Sequence, residues 1–155
     1  MKNFNPLSAI LSGLIATTGM TMLMVVAPSM GFPEMDIAKM LSGFMGAPVV
    51  VGWIAHGMIG LVLAASYALF FEPRTKMSRL LSGMVFGLIP WLVAQTVMMP
   101  MMGMGLFSGS MMMAGGSLMG HLIYGAVLGL LYRPRFDSVS NDFEPNLSTK
   151  GHSGR

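Results

Sequence analysis

Four long runs without a formal charge constrain this chain more than any other feature. They extend from about Leu7 to Met30, Pro48 to Phe71, Leu80 to Met101 and Gly116 to Tyr132, and none contains Asp, Glu, Lys or Arg. A helix of about 20 apolar residues, with a range of about 17–25, crosses the hydrocarbon core of a bilayer. Backbone in hydrocarbon must satisfy its own polar groups, so the runs are expected as helices. The period-2 alternation of a barrel strand is absent. Composition agrees. The chain is 54% hydrophobic and 10% charged, against about a quarter charged in soluble domains, and a soluble chain this short needs more polar surface to cover its core. The first run is too long for the apolar stretch of a signal peptide, and its features recur later, so it is read as a retained helix.

The formal charge of +3 does not point to nucleic acid, because the charges sit in short clusters beside the apolar runs. They read as topology signals. Lys2 precedes the first run. Arg74, Lys76 and Arg79 separate the second from the third. Arg133 and Arg135 follow the fourth, with Lys150 and Arg155 in the tail. Lys39 alone lies on the other side, beside Glu34 and Asp36. The positive-inside rule then puts both termini and the middle loop in the cytoplasm, and residues 32–47 and 102–115 outside. In the first outer segment Pro33 is placed to open a helix, with Glu34 and Asp36 in its first turn. Ile37, Met40, Leu41, Phe44 and Met45 follow at helical spacing, the pattern of a short amphipathic helix lying on the interface. The second outer segment is uncharged and rich in Gly, Ser and Met, and is expected to dip into the membrane or pack on the bundle. Residues 1–135 thus form one transmembrane domain. Residues 136–155, which include His152, are expected to be a disordered cytoplasmic tail.

The two halves carry the same landmarks in the same order. Leu11-Ser12-Gly13 and Leu81-Ser82-Gly83 open the first and third runs. Pro28-x-Met30-Gly31 and Pro100-x-Met102-Gly103 close them. His56-x-x-x-Gly60 precedes Tyr67 as His121-x-x-x-Gly125 precedes Tyr132. The expected architecture is all-α: four transmembrane helices as two tandem helix-hairpin repeats, about 7–74 and 78–135. Each repeat has an even number of spans, so the copies share one orientation about an axis along the membrane normal. Gly57, Gly60, Gly83, Gly87, Gly120, Gly125 and Gly129 are expected to let helices approach closely.

His56 and His121 stand within the spans, where an ionisable group marks a candidate site. A neutral imidazole binds copper, zinc or haem iron, and a thioether suits Cu(I). The chain has 20 Met residues, and many of them crowd the outer side with Met30 and Met102. His56, His121, Met30 and Met102 are therefore the candidate copper ligands, and the His pair a candidate haem clamp. One shared ion needs nitrogens about 4 Å apart, since metal–nitrogen bonds are near 2 Å. The plainer reading gives each His a carbonyl on the neighbouring helix and each Met a packing role. Gln95 needs a partner and is expected to face the interior, and Pro90 is expected to kink the third helix. A proton relay is the least favoured reading, because it usually needs a carboxylate or water chain and no Asp or Glu accompanies the histidines. The chain has no cysteine, hence no disulfide, thiolate site or catalytic thiol. It shows no nucleotide loop, catalytic triad or zinc-protease motif.

The runs Met35-Asp36-Ile37-Ala38-Lys39-Met40-Leu41, Gly52-Trp53-x-x-His56, Gly87-Leu88-Ile89-Pro90-Trp91 and Gly120-His121-Leu122-Ile123-Tyr124-Gly125 resemble an uncharacterised family of small bacterial four-helix membrane proteins, a domain of unknown function. The resemblance covers about residues 7–133. It implies a bacterial inner-membrane location and no activity. From sequence the chain is expected to be a non-enzymatic accessory or assembly subunit that packs against other membrane proteins or itself. The alternative is a His/Met site that binds or transports copper or holds a haem. Eight of the nine Lys and Arg residues lie on one side of this topology. Reporters fused after Arg79 and after Arg135 are expected to read cytoplasmic and one at Gly43 external. A cytoplasmic signal at Gly43 contradicts four spans.

Overall fold

The computed structural model describes residues 2–136. Four helices are long and apolar enough to cross a membrane: α1 (Pro6–Met30), α3 (Val49–Arg74), α4 (Arg79–Met101) and α5 (Met111–Leu131). At about 1.5 Å per residue even the shortest, 21 residues, spans about 30 Å. A shorter helix, α2 (Ile37–Met45), joins α1 to α3. Lys2–Asn3 pairs antiparallel with Arg135–Phe136 in a two-residue bridge that ties the described ends together. The tail from residue 137 and His152 lie outside the described residues.

The sequence sets each helix boundary by local chemistry. Asn5 caps α1 by accepting from the Ser8 N–H, Pro6 occupies the first turn, and Gly31 ends the helix at φ 89°. Asp36 caps α2 by accepting from the Lys39 N–H at 2.9 Å. Pro33 and Glu34 therefore precede this helix rather than opening it. That same N–H and the Lys39 ammonium hold the Asp36 carboxyl below its ordinary range. Ser78 caps α4, and Ser110 caps α5. The fourth span begins at Met111, about a turn before the expected Gly116, because Ser110 supplies this cap.

Helix α4 continues past Pro90 through one wide π turn at Ala94–Met98. A π turn is a usual way to absorb a distortion of the helical ladder. It turns Gln95 inward, where the side chain is 1% exposed.

Two hairpins are sealed by small residues. In the first, Gly13 of α1 faces Ala64 and the Gly60 carbonyl of α3, and Gly60 lies under the Thr17 side chain. In the second, Gly83 and Gly87 of α4 lie against Gly125, Gly129 and the His121 carbonyl of α5. The hairpins join through α1 and α5, where Met20 and Met24 cover Gly120. A methyl group at Gly57 would meet no neighbouring element within 4 Å, so Gly57 does not take part in the expected packing. Helices α3 and α4 meet at one end only. There Tyr67 stacks edge-on against Phe86 and Tyr132, with ring centroids 5.2 and 6.0 Å away, and its hydroxyl pairs with Ser82 at 3.1 Å. This is the side that holds the chain ends, because Tyr132 accepts from the Asn5 N–H.

A methyl group at Gly125 would fall on the Gly83 carbonyl, which belongs to a backbone held by its own helix. Gly125→Ala is expected to cost about 1–3 kcal/mol in unfolding of the detergent-solubilised protein, in the range of overpacking. Gly57→Ala is expected to stay within about 0.5 kcal/mol of wild type, as at a site without close neighbours. Equal stability of the two variants would contradict backbone contact between α4 and α5.

Candidate functional site

Above the Tyr67 cluster, α3 and α4 diverge and leave a cavity of about 470 Å³. Its walls come from α1, α3, α4 and α5, and α2 covers it through Ile37, Met40 and Leu41. Among the described residues the lining is apolar, with eight Met residues and no Asp, Glu, Lys or Arg. A small set of polar groups interrupts it: Thr17 on α1, His56 and Ser66 on α3, Gln95 on α4, Ser108 in the segment after α4, and Ser117, His121 and Tyr124 on α5.

The histidines reach this cavity from two helices. His56 is seven residues into α3 and His121 ten residues into α5, about 10 and 15 Å from the ends opposite the Tyr67 cluster. Nε2 of His56 lies 3.1 Å from the Thr21 hydroxyl, which donates to the Thr17 carbonyl. When that hydroxyl gives its proton to the carbonyl, Nε2 carries the hydrogen and donates to Thr21. Nδ1 of His121 lies 2.8 Å from the Ser117 carbonyl one turn back. A carbonyl only accepts, so Nδ1 carries the hydrogen. Each neutral ring therefore has one nitrogen fixed by an oxygen and one lone pair left, Nδ1 of His56 and Nε2 of His121. No hydrogen bond joins the two rings among the described residues. His56 bonds a hydroxyl on α1 and His121 a carbonyl of its own helix, so neither takes the carbonyl on a neighbouring helix that the plainer sequence reading expected, and both rings line the same space.

Gln95 accepts from Ser108 at 2.9 Å through Oε1, so its amide N–H groups remain as donors. Ser108 holds a left-handed conformation at φ 59°, after Phe107 at φ 52°. Two successive non-glycine residues there cost on the order of 1–3 kcal/mol each. The buried Ser108–Gln95 bond and the Phe107 ring, 6.1 Å from Trp91, hold the turn. The uncharged segment after α4 thus packs on the bundle as a roof over the cavity. Tyr124 closes the other end by donating to the Gly60 carbonyl at 2.6 Å.

The expected Met ligands separate. Met102 lines the cavity, whereas Met30 is 58% exposed and lies apart from it. Met30 follows Pro28 in a short turn that points it away from the bundle. Sequence reasoning passed over Tyr124 and Ser108. A tyrosine half-way along an apolar helix was the available signal for the first. The second had none, because its role arises from a strained turn.

Fold and site together define a protein of four helices long and apolar enough to cross a membrane, with a cavity inside the bundle. A family model described as a family of unknown function (DUF6789) matches residues 4–139, and the chain belongs to that family. No curated protein matches the chain, and no solved structure matches it.

Proposed function

We propose that this protein is a non-enzymatic membrane protein that binds a small, largely apolar molecule inside its helical bundle. The observation that carries the reading is the cavity of about 470 Å³, apolar apart from a few convergent polar groups. Small-molecule sites have this character, at about 300–1,000 Å³ with a small number of placed polar groups. An accessory or assembly role fits the same reading, with the ligand passed to or taken from another membrane protein.

A second reading rests on the histidines. Metal-binding imidazoles donate their second nitrogen to an oxygen and keep the other for the metal, as His56 and His121 do with Thr21 and Ser117. Met24, Met35 and Met113 at the roof, with Met102, add thioethers. Imidazole with thioether is a Cu(I) donor set, and paired imidazoles are haem ligands.

The chain is also proposed to be a tandem pair of hairpins in the inner (plasma) membrane with cytoplasmic termini. Support comes from matched contacts. Gly13 meets Gly60 and Ala64 as Gly83 meets Gly125 and Gly129, and the equivalent Tyr67 and Tyr132 touch each other. Gly31 and Gly103 end α1 and α4 in the same left-handed conformation. Helix α2 is proposed to lie at the interface, with Lys39 68% exposed and Ala38 and Leu41 buried.

Native mass spectrometry of protein released from mild detergent tests the binding reading. One bound small molecule per chain is expected, and Ala94→Trp, which fills the cavity, is expected to remove it while the protein stays folded. A chain without adduct, unchanged by Ala94→Trp, contradicts the proposal. Copper content and a Soret band, compared between wild type and His56→Ala/His121→Ala, decide the second reading.

A further inference from the structure

The cavity has an edge that faces outward. Ile59 on α3 and Ile89 and Val93 on α4 all line it, and all three are 45–50% exposed on the outer surface of the bundle. A residue that borders the interior and the outside at once marks a rim. Ile59 is ten residues from one end of α3 and fifteen from the other, and Ile89 ten and twelve from the ends of α4, so both lie at least about 15 Å from either end, near mid-span. Along this stretch α3 and α4 have no seam of small residues like those that close α1 on α3 and α4 on α5. The rim therefore opens sideways, at the depth of the hydrocarbon core.

Resting on the binding reading above, we infer that α3 and α4 form a lateral portal through which the cavity takes an uncharged amphiphile from the bilayer, an apolar chain with a hydroxyl or carbonyl head. The position of the rim sets the source. A solute in water does not reach mid-span from outside the bundle, whereas a molecule dissolved in hydrocarbon does. The lining sets the head. Without a charged side chain, a carboxylate, phosphate or ammonium would enter unpaired, at high desolvation cost. A hydroxyl finds acceptors in the lone pairs of His56 Nδ1 and His121 Nε2, and a carbonyl finds donors in the Gln95 amide. These groups lie toward the roof, and Leu63, Phe86 and Ile89 below them offer an apolar bed for the chain. The Met side chains of the lining adapt to chains of different shape. A long-chain alcohol, a diacylglycerol and a quinol share this chemistry.

Photolabelling of the full chain in nanodiscs with a diazirine-bearing dodecanol tests the inference. Labels are expected on peptides that hold Ile59 and Val93. Unlabelled dodecanol, dioleoylglycerol and a decyl benzoquinol are each added as competitors, and the strongest identifies the source of the head group. Dodecanoate and dodecyltrimethylammonium are expected to compete on the order of tenfold more weakly than dodecanol. Replacement of both rings by His56→Phe and His121→Phe is expected to weaken dodecanol labelling several-fold, because hydrogen bonds are lost, and to leave labelling by a diazirine-bearing dodecane unchanged. Should the double variant not fold, the charged competitors decide the matter on wild type. Equal competition by charged and uncharged heads overturns the head-group assignment and leaves binding intact. Labels on α1 and α5 alone overturn the portal. Absence of cavity labelling by both probes overturns the binding reading itself.

Discussion

Backbone contact between helices at glycine is the interaction on which the rest of this structure depends. Lipid gives apolar helices no reason to leave the bilayer for each other, so close packing must supply the attraction. Gly83 and Gly87 let α4 rest on Gly125 and Gly129 of α5, and Gly13 lets α1 approach Gly60 and Ala64 of α3. Each pair is fixed by contacts that a single methyl group would disturb. A third union, of α1 with α5 through Met20, Met24 and Gly120, completes three sides of the bundle. The fourth side, between α3 and α4, is held among the described residues at one end, by the aromatic cluster of Tyr67, Phe71 and Phe86 and the Tyr67–Ser82 hydrogen bond. The cavity is the space that this inequality leaves.

The polar groups of the site follow from the same constraint. In hydrocarbon each donor needs an acceptor within the protein. Thr21 and Ser117 take one nitrogen of each histidine, Ser108 takes the Gln95 oxygen, and Tyr124 reaches across to Gly60. These bonds fix the orientation of each side chain and leave a sparse set of unused acceptors and donors around an apolar volume. A site of that kind recognises the head of a molecule by hydrogen bonds and its body by shape.

The spans were legible because hydrocarbon tolerates no ambiguity: absence of charge over about 20 residues has one structural consequence. All four runs and the short helix at Ile37–Met45 appear where the sequence placed them, within about a turn. The glycines of the α4–α5 seam were legible for a similar reason, since close approach leaves a visible mark in residue size. Gly57 shows where that mark misleads, because a small residue also faces open space. The histidines were legible as residues and not as geometry. Their spacing along α3 and α5 fixes depth, but whether they meet depends on how far α3 and α5 separate. Met30 was misplaced because composition brings it near Met102 while the turn at Pro28 carries it away. Ser108 was invisible because a left-handed serine has no sequence signature.

The account stands on the opening between α3 and α4. Since the chain has no cysteine, a single nitroxide can be placed at Ala94→Cys, on the cavity side of α4, and at two references: Leu92→Cys on the lipid face and Leu128→Cys in the closed interior, 47% and 0% exposed. Power-saturation EPR in lipid then reports collisions with oxygen, which concentrates in hydrocarbon, and with a water-soluble nickel chelate. A cavity open to the bilayer predicts oxygen collisions at position 94 close to those at position 92, with the nickel chelate excluded from both. Oxygen collisions at position 94 as rare as at position 128 would mean that α3 and α4 close on each other, and would contradict the account.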